Sequence, residues 1–194
     1  MGLFKYKIRH IVSIYFGVPG SGKTTFAAWL VRKDLKHGCK VWSNVPITGA
    51  MKLEPKDDIG KCMICDGRVI IDEAGIEYNN RDFKEFSKQA LYFYKYHRHY
   101  ETAVDVFSQS YNDMDKKLRD LAQRLYVVKK SYIPFFVYRY RIRKKIGIND
   151  LTKEITDEYE VVKFSRTYIF CPPLWKLFNT HSRKPLPEKE WEVY

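Results

Sequence analysis

The sequence has no stretch able to cross a bilayer as a helix. Its longest run without Lys, Arg, Asp or Glu is the 13 residues from His10 to Gly22. A spanning helix needs roughly 20, and glycines interrupt this run. No secretory leader is expected, because the basic N-terminus has no apolar segment followed by a small-residue cleavage site. Position 6 is Tyr6, where an N-myristoylation signal wants Ser or Thr. Only four cysteines occur, Cys39, Cys62, Cys65 and Cys171, and they are expected to be reduced thiols of a cytosolic protein. Cys62 and Cys65 have C-x-x-C spacing, but no second such pair accompanies them. Cys39 and Cys171 could complete a zinc site only from far along the chain. The pair does not open a helix after a strand, as a redox motif does. Repeats and low-complexity tracts are absent. Negative charge is in deficit: 23 Asp and Glu against 35 Lys and Arg leave a net charge of +12. That surplus favours an anionic partner, nucleic acid or a membrane surface, and says nothing of the fold.

What is present is enough for a packed core. Hydrophobic residues make up 45% of the 194 and aromatics 16%, which excludes wholesale disorder and fits one domain. Strands are expected at Ile8 to Phe16, Val41 to Asn44, Arg68 to Ile71, Val104 to Phe107 and Leu125 to Val128. Helices are expected over Lys23 to His37, Asp82 to about Tyr100 and Asp113 to Gln123. On the first, Phe26, Ala27, Ala28, Leu30, Val31 and Leu35 share one arc opposite Arg32, Lys33 and Lys36, and Gly38 is a natural stop. Alternating strand and helix imply a mostly parallel sheet covered by helices on both faces. Phe135 to Arg143 alternates strictly and pairs with the preceding strand across Ser131 to Pro134. Further strands at Glu158 to Phe164 and Thr167 to Cys171 extend the sheet antiparallel, and Pro172-Pro173 ends it. Residues 1–130 thus form a core, 131–181 a β-rich extension of the same domain, and 182–194 a loosely ordered tail.

Three segments carry chemistry. Gly17-Val18-Pro19-Gly20-Ser21-Gly22-Lys23-Thr24 matches G-x-x-x-x-G-K-[ST] between a strand and a helix, the setting that confirms a phosphate loop, and Thr25 follows it. The glycines let the backbone wrap tightly so that N–H groups converge on a phosphate. The helix starting at Lys23 adds the positive end of its dipole. Lys23 would reach the β- and γ-phosphates of ATP, and Thr24 would offer a hydroxyl to Mg²⁺. Val69-Ile70-Ile71 then ends in Asp72-Glu73. Here Asp72 would hold Mg²⁺ through water, and Glu73 would orient and deprotonate the attacking water. Gln109 follows the strand Val104–Phe107 and is placed as a sensor of the γ-phosphate, since ligands bind where parallel strands end.

These motifs, in this order, resemble an additional-strand, catalytic-glutamate (ASCE) P-loop ATPase. The finer resemblance is to the zonular occludens toxin (Zot) family, which includes the filamentous-phage gene I assembly proteins, within the FtsK–HerA superfamily. It is carried by Gly17 to Thr24, Trp42-Ser43-Asn44-Val45-Pro46, Ile71-Asp72-Glu73-Ala74-Gly75, Arg81, His97-Arg98-His99, Phe107-Ser108-Gln109-Ser110, and Met114 to Leu121 around Arg119. The resemblance implies ATP hydrolysis in a ring-shaped homo-oligomer that serves virion assembly, export or DNA translocation. It also implies an arginine reaching the γ-phosphate from a neighbouring subunit. The candidates are Arg81, Arg98, Arg119 and Arg124, with Arg119 first. Zot-like phage proteins typically continue into a membrane-spanning helix, and none is expected within these 194 residues. A membrane-anchored partner chain or an anionic membrane surface is therefore expected, with the protein cytoplasmic or peripheral at the inner face.

The positive charge concentrates in two places. On the helix from Asp82, Lys84, Lys88, Lys95 and Arg98 form one stripe, opposite Phe86, Ala90, Phe93, His97 and Tyr100. On the strand from Phe135, Arg139, Arg141 and Arg143 share one face, with Tyr138, Tyr140 and Ile142 on the other. Like charges side by side on a strand repel unless an anion lies near. DNA bound through its backbone without sequence reading is the first partner expected there, ahead of lipid headgroups. Two other functions stay open: a small-molecule kinase, whose loops resemble Gly-x-Pro-Gly-Ser-Gly-Lys, and a non-catalytic basic scaffold ordered by nucleotide.

Overall fold

The computed structural model of the protein describes residues 6–74, 88–112, 114–148 and 155–179. Six strands run parallel in the spatial order β3–β2–β4–β5–β1–β6. They are β1 (Val12–Phe16), β2 (Lys40–Ser43), β3 (Met51–Lys52), β4 (Gly67–Ile71), β5 (Thr102–Ser108) and β6 (Arg124–Lys130). β7 (Phe136–Ile148), 13 residues long, pairs antiparallel with β6. Its other edge takes β9 (Thr167–Phe170) along the first part and β8 (Ile155–Val161) along the second. The antiparallel extension is therefore continuous with the parallel sheet.

Helices cover both faces. α1 (Lys23–Leu35) and the short α5 (Pro172–Trp175) pack on one face. The short α2 (Pro55–Asp58) lies between β3 and β4 in the chain. α3 (Lys88–Tyr96) and α4 (Lys116–Leu121) pack on the other face. Strand alternation sorts the core into two layers. Val12, Ile14, Val69, Ile71, Val104 and Val106 meet Phe93, Tyr94 and Leu118. Tyr15, Val41, Ile70, Phe107 and Val128 meet Phe26, Leu30, Val31 and Leu174. Every residue of β4 and β5 is buried, as a central parallel strand requires.

Several boundaries differ from expectation for local reasons. β1 starts at Val12 and not Ile8, because its ladder with β5 begins at Val12–Val104, and Ile11 N–H turns back to the Arg9 carbonyl. α1 stops at Leu35, two residues short of His37. α4 is limited to Lys116–Leu121, capped by Asp115, whose carboxylate accepts the Lys117 N–H at 2.7 Å. Pro172-Pro173 ends the sheet but also opens α5, where a proline at the first turn loses no hydrogen bond. Of the helix expected from Asp82, Lys88–Tyr96 is seen; Arg81, Lys84 and Phe86 lie outside the described residues, as does the tail at 182–194. Among the described residues no helix is long and apolar enough to cross a membrane.

The sheet order places β5, with Gln109 just beyond its end, between the strand of the phosphate loop and the strand of the acidic pair. This is a P-loop-like α/β fold with the additional strand in place. The ends of β1, β4 and β5 open on one edge of the sheet.

Candidate functional site

The loop from Gly17 to Gly22 joins β1 to α1. Two of its glycines are there for steric reasons. A side chain at Gly17 would run into the Val128 carbonyl of β6 and the Ser21 hydroxyl. Gly22 has φ +96°, a left-handed conformation, and a side chain there would collide with Val137 of β7. The loop is closed by its own lysine: Lys23 Nζ donates to the carbonyls of Gly17 at 2.7 Å and Val18 at 3.2 Å. Burial lowers the Lys23 pKa, while Asp72 and Glu73 push it back up. Ser21 N–H turns to the Val18 carbonyl, and the buried Ser21 hydroxyl has no hydrogen-bond partner. A buried hydroxyl without a partner in a glycine-built loop is a group that a ligand could satisfy.

Asp72 follows β4 and is almost fully buried, at 4% exposure. Its Oδ2 accepts the Thr24 hydroxyl at 2.8 Å, and its Oδ1 accepts the Glu73 N–H at 3.0 Å. Burial raises its pKa, against the two hydrogen bonds that favour the carboxylate. Asn44, just past β2, holds the Asp72 backbone from both sides: its amide donates to the Asp72 carbonyl at 2.9 Å and accepts the Asp72 N–H at 2.7 Å. Glu73 sits at φ +53°, an uncommon conformation for a non-glycine residue, and its side chain is exposed. The turn thus buries one carboxylate and presents the next.

A cleft of about 660 Å³ gathers these groups. Lys23, Thr24, Thr25, Asp72, Glu73 and Gln109 line one side, together with Pro19, Gly20 and Gly22. The β6–β7 turn and α5 line the other. The hydroxyl and carboxylate oxygens of Thr24 and Asp72 are the donor set that suits a hard cation such as Mg²⁺. Among the described residues no cluster of three or more His, Cys, Asp or Glu is arranged to hold a metal by itself, Cys62 and Cys65 included. The Thr24–Asp72 oxygen pair is of the kind that holds Mg²⁺ together with substrate phosphates. A neighbouring cleft of about 730 Å³, between the β2–β3 loop and Lys176–Asn179, contains two lysines and no carboxylate, so it offers no comparable chemistry.

The arginines are placed otherwise. Arg119 lies over the Tyr111 ring at 5.2 Å with Nη1 3.4 Å from the Asn112 side-chain oxygen, and does not line the cleft. Nor do Arg98, which is exposed, or Arg124. On β7, Arg139 does share a face with Arg141 and Arg143, yet its guanidinium covers a box of three rings. It lies 4.2 Å from Tyr126, 4.8 Å from Phe26 and 5.3 Å from Tyr15, and it donates to the Tyr15 hydroxyl. Near the far end of the stripe acidic residues face basic ones, Arg143 opposite Glu160 of β8 and Lys145 opposite Glu158, a cross-strand pairing of opposite charges that eases repulsion there. Arg141 is half-buried and Arg143 exposed. On α3 and beyond it, Lys88, Lys95 and Arg98 are exposed, with Ala90, Phe93 and His97 buried.

Sequence reasoning missed three sets of residues. Asn44 was part of a motif without a role. Phe135, placed by alternation at the head of the strand Phe135 to Arg143, falls in the turn before β7, and Trp175 belongs to a single helical turn that no periodicity marks. Arg68 of β4 pairs with Asp34 of α1 and Asp105 of β5 inside the core, where exposures are 9%, 0% and 1%. A charged residue in each of two buried neighbouring strands was the available signal for that trio.

The profile of the family described as zonular occludens toxin (Zot) matches residues 51–170, which includes Asp72, Glu73, Gln109 and Arg119 and begins beyond the phosphate loop. No curated protein sequence matches the chain. Among solved structures, the N-terminal domain of zonular occludens toxin from Neisseria meningitidis is similar at 16% identity, covering 89% of this chain and 100% of that one, with a TM-score of 0.57. The genome packaging NTPase B204 of Sulfolobus turreted icosahedral virus 2, in complex with ATP-gammaS, is similar at 10% identity over 79% of this chain and 98% of that one, with a TM-score of 0.52. At these identities the likeness is one of fold.

Proposed function

Because this chain belongs to the zonular occludens toxin (Zot) family, we propose that it is a Zot-like P-loop ATPase that hydrolyses ATP to drive virion assembly, export or DNA translocation. The observation that carries the reading is the Thr24–Asp72 hydrogen bond in a cleft shared with Lys23, Glu73 and Gln109. The loop backbone from Gly17 to Thr25 receives the phosphates, and Lys23 exchanges two carbonyls for phosphate oxygens. Thr24 and Asp72 are the residues that would hold Mg²⁺, which supplies charge neutralisation to the phosphates when bound. Glu73, exposed at the cleft beside buried Asp72, takes the proton of the attacking water. Gln109 orients that water from the end of β5. Residues 1–130 hold these groups, and 131–181 close the cleft as an extension of the same domain.

None of Arg98, Arg119 and Arg124 lines the cleft. In this reading an arginine from a neighbouring subunit of a ring-shaped homo-oligomer acts on the γ-phosphate, with Arg119 retained as the first candidate and Arg81 outside the described residues. The exposed charges Lys88, Lys95, Arg98 and Arg143 face outward for DNA or an anionic membrane surface, at a cytoplasmic or membrane-peripheral location, and a membrane-anchored partner chain completes the assembly. Arg139 is left to the aromatic box.

The test is Mg²⁺-dependent phosphate release from ATP, with and without single- and double-stranded DNA. Lys23→Ala should lose both binding and turnover. Glu73→Gln should keep ATP binding and lose turnover by about 10²–10⁴-fold. Unchanged turnover in Glu73→Gln removes the proposed base, and transfer of phosphate to a small acceptor instead of water favours a kinase.

A further inference from the structure

We infer that the cleft contains a purine-base platform formed by Phe135 and Trp175, which stacks the base while making little choice between adenine and guanine. The inference rests on the phosphate-loop reading above and adds to it the part of the nucleotide that the loop does not touch.

The two rings come from separate segments locked together. Phe135 ends the β6–β7 turn, and its carbonyl accepts the Cys171 N–H at 2.8 Å, at the start of α5. The Trp175 ring meets the Phe135 ring at 6.2 Å and 60°. Both are large apolar side chains left open, Phe135 at 59% and Trp175 at 50% exposure. Phe135 has φ +66°, a conformation costly for an aromatic residue and of the kind that concentrates at ligand sites. The turn around it is fixed: Ser131 N–H donates to the Phe136 carbonyl at 3.0 Å, and Phe136 N–H to that of Ile133 at 3.3 Å. The turn is also fixed to the phosphate loop, since Val137 fills the space a side chain at Gly22 would take.

One cleft therefore has two chemically distinct ends. At one, Lys23 and Thr24 await phosphate, with Asp72 placed for its cation; at the other, Ile133, Pro134, Phe135 and Trp175 form an apolar wall. Its volume of about 660 Å³ lies within the range of small-molecule sites. An aromatic wall next to a phosphate cradle suits a planar base. The wall reads little: Ile133, Pro134 and Phe135 carry no polar side-chain atom, and Lys130, Ser131 (whose hydroxyl accepts the Ile133 N–H at 3.1 Å) and the Trp175 indole offer donors, which both purines can meet at N7. Stacking with no more readout than that favours the larger purine ring over a pyrimidine but does not separate adenine from guanine.

The experiment is calorimetric titration of the full chain with Mg²⁺ complexes of tripolyphosphate, ATP, GTP and CTP. Tripolyphosphate reports the phosphate loop alone. ATP and GTP should bind within about threefold of each other and at least about tenfold tighter than tripolyphosphate, with CTP between. Trp175→Ala should remove most of that gap and leave tripolyphosphate binding unchanged, which also shows that the cradle is folded. Phe135→Asn, which tolerates positive φ, should do the same, and Trp175→Phe should keep most of the gap. Equal binding of ATP and tripolyphosphate, a gap that survives both variants, or ATP tighter than GTP by more than about tenfold overturns the platform. Binding of none of the four overturns the phosphate-loop reading itself, and the platform with it.

Discussion

Thr24 Oγ1 donates to Asp72 Oδ2 at 2.8 Å, tying the first turn of α1 to the turn after β4 across 48 residues of sequence. The bond satisfies a carboxylate that burial otherwise penalises: the Asp72 pKa is raised, with burial as the first cause and Glu73 adding to it. A carboxyl whose pKa rises on folding stabilises the fold while protonated. That contribution is lost as pH rises from its unfolded to its folded value. At neutral pH its charge is therefore a cost that a bound cation would relieve.

Asp72→Asn follows from this balance. The amide can accept from Glu73 N–H and donate to Thr24, so the ligand-free variant should melt at or above the wild-type temperature. Stabilisation by Mg²⁺ with nucleotide should disappear. Thermal melts with and without Mg²⁺–ATP check both halves, and a ligand-free Tm well below wild type contradicts the account.

The Gly22–Val137 contact separates two causes of strain. Gly22→Ala suffers both a left-handed φ and a collision with Val137, and should cost about 1–3 kcal/mol. Adding Val137→Ala removes the collision and leaves the φ penalty, so the double variant should lie closer to wild type than the two single effects added together. A double-mutant cycle in urea measures this coupling.

Arg68 should be the costliest core charge to remove. Arg68→Leu strands Asp34 and Asp105, both buried, and the expected loss is about 3–5 kcal/mol. Asp34→Asn with Asp105→Asn added to Arg68→Leu should recover part of it in the same denaturation assay.

His97 sets an acid limit. It is buried, and burial lowers its pKa; Arg98 and His10 lower it further, while the Tyr94 and His10 carbonyls oppose them. The unfolded chain then binds the proton first, so stability should fall as pH drops below the ordinary histidine value of about 6.5. His97→Gln should flatten that slope, measured as Tm against pH from 5 to 7.

The parts legible in the sequence were local. The phosphate loop is a contiguous string whose glycines, lysine and threonine each have a steric or electrostatic reason. The apolar arc of α1 and the buried strand before Asp72 follow from period and composition. What stayed hidden depends on pairing between distant segments. Arg139 looked free because Tyr15 and Phe26 are more than a hundred residues away in sequence. Arg143 looked unbalanced because the register that sets Glu160 opposite it is a property of β8. Phe135 was absorbed into the alternation of the strand that follows it and Trp175 carries no pattern; the β7–β9 pairing and the Cys171–Phe135 hydrogen bond bring them together.

β7 begins at Phe136, beside the cleft that holds Lys23 and Asp72, and continues for 13 residues without a break. At about 3.3 Å per residue it spans on the order of 40 Å. Val137, near its start, presses on the loop glycine. Its far end is held by β8, with no turn between to absorb a displacement. One uninterrupted strand therefore joins the contact at Gly22 to the ribbon that β7 makes with β8, so the loop and the ribbon share a single backbone.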